Sequence, residues 1–364
     1  VIFLSKGISV FLGMDYSLED NIMYMEKSKN QGFNMIFTSL HIPEADYSKV
    51  IGEFKYVIKR AKELDMTVIA DISPSGFKFL KLKEKDLKGI RDLGVDVLRI
   101  DFGFPCEDIA EFTHNKYGIK IEINASTVTE RFLKELESFK PNYLNMQACH
   151  NYYPRLNTGI SVETFKRKNE LLNKYKIELS AFIPSLVNKR GPIYEGLPTL
   201  EIHRLTSPRI AAKHLYAMGI NNVLFGDSIA SDDELISVGS VNEKLIEFDI
   251  EVLSNCDVEK KIIFRDFHSN RSDASADVIR SVESRLELGL KDKINEFNNI
   301  PRKIGYVTID NFNYLRYSGE LQICKKNLPR DTRVNVVGKI KDEELFLINF
   351  IEDESKFKFK DVEQ

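Results

Sequence analysis

Short apolar runs, each closing on a polar residue and each followed by an amphipathic stretch, recur through the first two thirds of this chain. No other feature restricts the fold as much. Strand-like runs at 7–13, 35–40, 67–72, 97–102, 119–124, 143–148, 178–183 and 222–225 alternate with helical periodicity. Parallel neighbours need helical crossovers, and about eight such units in roughly 230 residues suit a closed (β/α)8 TIM barrel better than an open doubly wound sheet. In that barrel the chemistry sits on loops leaving the carboxyl ends of the strands. Those ends carry Asp15, His41, Asp71, Asp101, Asn124, His150, Asn151, Arg190, Glu195 and Asp227.

Beyond about Val238 the texture changes. Phe248, Ile250 and Val252 alternate with polar residues, and strand signals follow at 304–309, 321–324, 334–337 and 345–350, separated by turn residues at 299–301 and 328–331. With 364 residues the chain is long enough for two domains. The reading is an α/β barrel over 1–240 and a small, mostly β barrel over 241–364. Ser231, followed by acidic residues, predicts a helix N-cap. The segment 271–285 reads as a helix-like connector, and the charged stretch 356–364 as a fraying end.

A net charge of −3 argues against nucleic acid as the main partner, because phosphate-backbone binding needs a basic face. The four cysteines, Cys106, Cys149, Cys256 and Cys324, lack CxxC spacing, which points to neither a zinc cluster nor a disulfide scaffold and fits a reducing compartment. The apolar start, Val1 to Leu4, meets Ser5 and Lys6 too soon for a signal peptide. No run approaches the roughly 20 apolar residues of a membrane span.

Two loops combine rigid Pro and Gly with donors, aromatics and charges: 150–159 after the sixth strand and 190–204 after the seventh. Such loops hold a polar ligand in fixed geometry. Alternation places Arg99 with Asp101, and Glu122 with Asn124, on common strand faces. The deeper Arg99 and Glu122 suit a buried ion pair, and Asp101 nearer the mouth suits chemistry. Two carboxyl groups across a cleft are what glycosidic cleavage requires, one giving a proton to the leaving oxygen and the other acting as nucleophile or base. The expectation is Asp101 as proton donor with Glu195 or Asp15 as the second carboxylate. Arg155, Arg190, Arg204 and Arg209 fall near the same rim, where guanidinium groups suit phosphate or carboxylate. A metal-dependent hydrolase or isomerase using His41 and His150, and a non-catalytic carbohydrate binder, are the competing readings; neither an HxH pair nor HExxH supports the metal.

Taken together, these segments resemble the bacterial 6-phospho-N-acetylmuramidases. The residues that carry the resemblance are Gly7-Ile8-Ser9-Val10-Phe11-Leu12-Gly13, Asn124-Ala125-Ser126-Thr127, His150-Asn151-Tyr152-Tyr153-Pro154-Arg155 with Thr158-Gly159, and Arg190-Gly191-Pro192 through Glu195-Gly196-Leu197-Pro198-Thr199-Leu200-Glu201 to His203-Arg204. Ile279-Arg280-Ser281 with Ser284-Arg285 completes it over essentially the whole chain. Leu156 departs from the pattern, standing where a second proline is expected. The resemblance implies a carboxyl-terminal cyclophilin-like barrel and hydrolysis of N-acetylmuramic acid 6-phosphate from N-acetylglucosamine in cytoplasmic cell-wall recycling. It implies a phosphorylated disaccharide as the partner and no cofactor. A phosphate and a lactyl carboxylate would engage Arg155, Arg190, Arg204 and Arg280. The acetamido group and hydroxyls would engage Asn124, Asn151, Tyr152 and Asp227, with His150 and Glu201 in the same binding set.

Overall fold

A computed structural model describes residues 4–39, 47–100, 103–289 and 293–362. The chain forms two compact units, Val1–Val241 and Asn242–Gln364.

The first unit is a closed barrel of eight parallel strands: β1 (Ser5–Ser9), β2 (Met35–Ser39), β3 (Thr67–Asp71), β4 (Val97–Ile100), β5 (Lys120–Asn124), β6 (Met146–Cys149), β7 (Glu178–Ile183) and β8 (Asn222–Phe225). Closure pairs Ser5 with Asn222 and Gly7 with Leu224. Gly7 is required there, since a Cβ would stand 2.8 Å from Leu224 Cγ. The strands alternate sharply. Ile8, Ile36, Val68, Leu98, Ile121, Ala148, Leu179 and Val223 are fully buried in the apolar core shared with the helices. The other face points inward and is aromatic toward β2 and β7 but polar across β4 to β6. Capping is local: Ser231 accepts from Glu234 N–H and Glu234 returns the bond to Ser231 N–H, a capping box that starts helix Asp232–Gly239 as its sequence predicts.

Strand ends shift in two places. The first strand ends at Ser9, and Val10 to Leu12 leave the barrel still buried, with Val10 N–H held by Phe37 O at 2.8 Å. Tyr143–Asn145 forms a 3-10 turn ahead of β6. His41 and Asp101 lie outside the described residues.

The second unit is mostly β: β9 (Ile246–Val252), β10 (His268–Ser269), β11 (Val278–Arg280), β12 (Tyr306–Asp310), β13 (Leu321–Cys324), β14 (Val334–Ile340) and β15 (Lys356–Asp361), in the order β10-β15-β9-β14-β12-β13-β11. Its two edges approach each other, with Arg271 N–H on Arg280 O and Val282 N–H on Ser269 O, so the sheet nearly closes into a barrel.

Three expectations fail here. The run 345–350 is part of a 3-10 stretch, Asp342–Phe350, in which neighbours Leu347 and Ile348 are both buried, a pattern a strand cannot give. The Glu344 carboxylate fixes it by accepting Asp249 N–H at 2.7 Å. The charged end is a central strand, not a frayed one, because Phe357 and Phe359 point into the core while Lys358 pairs with Glu247. The segment 271–285 holds β11, not a helix-like connector.

Candidate active site

Four aromatic rings close the barrel on one side of its mouth. Phe37 on β2 meets Phe182 on β7 at 5.4 Å between centroids, and Tyr152, in the loop after β6, meets Phe182 at 5.2 Å and Phe11 at 6.0 Å. All are edge-to-face, the arrangement the ring quadrupoles favour. Arg190 rests on this plug, its guanidinium carbon 4.3 Å from the Phe11 centroid and 5.1 Å from that of Tyr152. Its Nε donates to Gly191 O and one Nη1–H to the Tyr152 hydroxyl. The other N–H groups of the half-buried guanidinium make no hydrogen bond to any described residue, so a fixed donor edge is left for an anion.

The opposite side of the mouth is polar. Arg99 donates to Glu122 at 3.1 Å, to Cys149 O at 3.2 Å and to Asn151 Oδ1 at 2.7 Å, and Gln147 donates to the other Glu122 oxygen at 2.6 Å. The deep ion pair is thus present, and burial raises the Glu122 carboxyl. Asn124 turns the chain out of β5, its Oδ1 accepting Ser126 and Thr127 N–H. A cavity of about 210 Å³ lined by Ile100, Ile123 and Phe132 among others abuts Asn124. His150 is fully buried against Phe165, and burial pushes it down to about 4, so it is neutral near pH 7. With Asn169 Oδ1 accepting from Nε2 at 2.8 Å, Nδ1 takes the Ser126 hydroxyl at 3.2 Å, and Ser126 Oγ in turn accepts Asn151 N–H. His150 therefore aims Asn151 and does not itself face the mouth.

The arginine expectation divides. Arg204 is 2% exposed. It donates twice to Glu201, at 2.7 Å each, and to the Tyr153 and Gly196 carbonyls at 3.0 Å, so it ties the two loops together and offers no anion site. Glu201, held by Arg204 and by Asn157 and Gly159 N–H, is pulled down to about 2. Gly159 permits this closeness, as a Cβ there would lie 2.6 Å from Glu201 N. Arg209 caps Ser237 O and Ser240. Arg155 is exposed, and its side chain has no ion pair or hydrogen bond among the described residues. Arg280 belongs to the second unit and pairs with Glu320.

Two carboxylates fill the place where such barrels often seat phosphate, the loops after β7 and β8. Asp227, fully buried, accepts Ser185, Leu197 and Arg190 N–H. Glu234 accepts Leu186 N–H and the Ser185 hydroxyl. Asp227 accordingly shapes the loop under Arg190, and burial raises its carboxyl.

Asp15 and Glu195 remain accessible. Asp15 accepts Gly191 N–H at 2.9 Å and the Tyr194 hydroxyl at 2.7 Å. Glu195 accepts Leu156 N–H at 2.6 Å through Oε2, and its Oε1 has no partner among the described residues. The loop 190–195 therefore brings Asp15, Tyr152 and Arg190 together, while Glu195 reaches across to the 150–159 loop. Phe11, Tyr194, Ser126 and Asn169 were not among the residues expected to build the site. Phe11 lies inside an apolar run, and Asn169 in mid-helix gives no signal at all. No group of three or more His, Cys, Asp or Glu side chains among the described residues is arranged to hold a metal ion.

The pattern described as "6-phospho-N-acetylmuramidase, N-terminal" matches residues 6–240, and "6-phospho-N-acetylmuramidase, C-terminal" matches 246–360. A B. cereus protein of known structure is similar over 98% of this chain and 99% of its own, with 33% identity and a TM-score of 0.86. An Enterococcus faecalis protein is similar over 98% of this chain and 96% of its own, with 34% identity and a TM-score of 0.70. No curated protein matches the chain.

Proposed function

Because the chain belongs to the 6-phospho-N-acetylmuramidase family across both units, and is thereby a glycoside hydrolase, we propose that Arg190 recognises the anionic sugar whose glycosidic bond the barrel cleaves. The observation that carries this reading is the Arg190 guanidinium, clamped between Phe11 and Tyr152 with a free donor edge. The loop amides that commonly seat phosphate in such barrels already serve Asp227 and Glu234, so a side-chain receptor is needed. Arg155 and the aimed Asn151 complete the polar contacts. The substrate is N-acetylmuramic acid 6-phosphate linked to N-acetylglucosamine, met in the cytoplasm during cell-wall recycling. The barrel over 1–240 is the catalytic domain and 241–364 a cyclophilin-like one. No helix among the described residues is long and apolar enough to cross a membrane.

Cleavage needs a proton at the leaving oxygen and a carboxylate on the other face of the ring. Asp101 supplies the proton. Glu195 is the second carboxylate, because Oε1 is uncommitted while the Leu156 N–H holds Oε2 in place. Asp15, with both oxygens engaged by the Arg190 loop, positions that loop. Hydrolysis of an acetal asks for water alone and no cofactor.

Purified protein given the phosphorylated disaccharide should release free N-acetylglucosamine and leave the unphosphorylated form intact. Equal turnover of both forms would remove the anion-receptor reading.

A further inference from the structure

The second unit carries a polar row that the hydrolytic reading does not use. In the ladder, Arg280 of β11 stands opposite Gln322 of β13, and Gln322 opposite Thr308 of β12, so the three side chains leave one face of the sheet. Asp310, two residues past Thr308, shares that face. Glu320 reaches it too: one carboxylate oxygen accepts from Arg280 Nε at 2.8 Å and from Gln322 Nε2 at 3.0 Å, the other from Arg280 Nη2 at 3.1 Å. Ile309, Leu321 and Ile323 on the opposite face belong to the apolar core.

The row deepens from end to end. The Arg280 side chain is 24% exposed and Gln322 half-buried, whereas Asp310 is 3% and Thr308 0% exposed. Hydrogen-bonding capacity is left over at every step. Arg280 Nη1 and Gln322 Oε1 have no partner among the described residues, and neither does the Asp310 carboxyl. Thr308 Oγ1 is buried and unpartnered. A buried polar group without a partner forfeits its solvation with nothing in return, so two neighbouring ones point to a missing partner.

We propose that this row binds a neutral, hydroxyl-bearing sugar, with an acceptor of the ligand on Arg280 Nη1 and its hydroxyls on Gln322 Oε1, Thr308 Oγ1 and the Asp310 carboxyl. Two carboxylates facing one guanidinium disfavour an anion, and Arg280 at the open end disfavours a cation. Two strand spacings separate Arg280 from Thr308, about 10 Å, the span of one N-acetylated sugar ring with its substituents. Burial, reinforced by Glu320 and Asp331, raises Asp310 to about 7, so near neutrality its carboxyl both accepts and donates. The site stands on residues of the second unit alone and is independent of hydrolysis in the barrel.

N-acetylglucosamine is the probe, titrated into the full chain and followed by saturation-transfer NMR and calorimetry. Wild-type protein should bind it; Thr308→Val and Gln322→Ala should each weaken binding about tenfold, while Arg190→Ala leaves it unchanged. Gln322 is half-exposed, so its variant tests the row even where Thr308→Val fails to fold. Absence of binding to wild type overturns the proposal. So does equal binding by wild type and Gln322→Ala, or equally tight binding of N-acetylmuramic acid 6-phosphate at the same row.

Discussion

Arg190 is the residue on which the proposed recognition of an anion turns. Its plane lies against two rings, and two carbonyl or hydroxyl acceptors fix its rotation, so its free edge is oriented before any ligand arrives. Removing it by Arg190→Ala should lower kcat/KM about 100-fold, mostly through KM, if the anion contributes equally to ground and transition states. Arg190→Lys should restore little, since an ammonium neither stacks on Phe11 nor presents a fork. Steady-state kinetics on the phosphorylated disaccharide checks both, and full activity of the lysine variant would contradict the stacked geometry. Glu195→Gln should reduce kcat by several orders of magnitude while KM changes little, whereas Asp15→Asn should raise KM by loosening the Arg190 loop. The sequence exposed these polar residues because they follow strand ends. It could not distinguish Arg190 from Arg204, which share a loop and a charge. Only burial and the Glu201 carboxylate set Arg204 apart as a tie between the two loops.

At the scale of elements, the barrel strands were legible because hydrophobic alternation and spacing repeat eight times. The second unit was harder to read, since the Lys-Phe-Lys-Phe-Lys run of β15 looks solvated by composition while its period of two buries Phe357 and Phe359. The 3-10 stretch at Asp342–Phe350 depends on a backbone contact from Asp249, which no local pattern reveals. Histidines embedded in the last third of the barrel give these elements an acid limit. His150 is held down to about 4, His203 to about 3 and His214 to about 4, each chiefly by burial, against 6.5 when unfolded. A lowered value means that the unfolded chain takes up the proton first. The histidines' contribution to stability is therefore full above pH 6.5 and falls as pH drops toward 4, by about 1.4 kcal/mol per pH unit for each proton, while the raised Asp310, Glu122 and Asp227 carboxyls act in the opposite sense. Glu201 adds its own loss only below 4.5, through about 2, so the windows separate. Imidazole NMR resonances of His150, His203 and His214 should hold their neutral positions from pH 8 down to about 5, and a titration of any of the three near 6.5 would refute buried neutral histidines.

At the scale of the whole molecule, the chain divides at Val241 into two units, each with its own apolar interior. The barrel core runs from Ile8 to Val241, and the β unit gathers Phe248, Ile309, Ile323, Val336 and Phe357. A substitution in one interior should then act on that unit's cooperative transition and spare the other's. Phe357 is the sharpest probe: it is fully buried, packs against His268 at 5.2 Å and Phe248 at 6.3 Å, and sits on the strand that joins β9 to β10. Truncation to alanine removes a ring from a closed interior and should cost about 3–5 kcal/mol. Scanning calorimetry of the wild type should resolve two components, the larger carrying roughly twice the enthalpy of the smaller because unfolding enthalpy scales with residue number. Phe357→Ala should lower the midpoint of the smaller component and leave the larger in place, with hydrolysis persisting until the barrel itself melts. A single transition that shifts as a whole would mean instead that the two interiors unfold as one, and the polar row on β11 to β13 would then have to be tested only under conditions where the entire chain is folded.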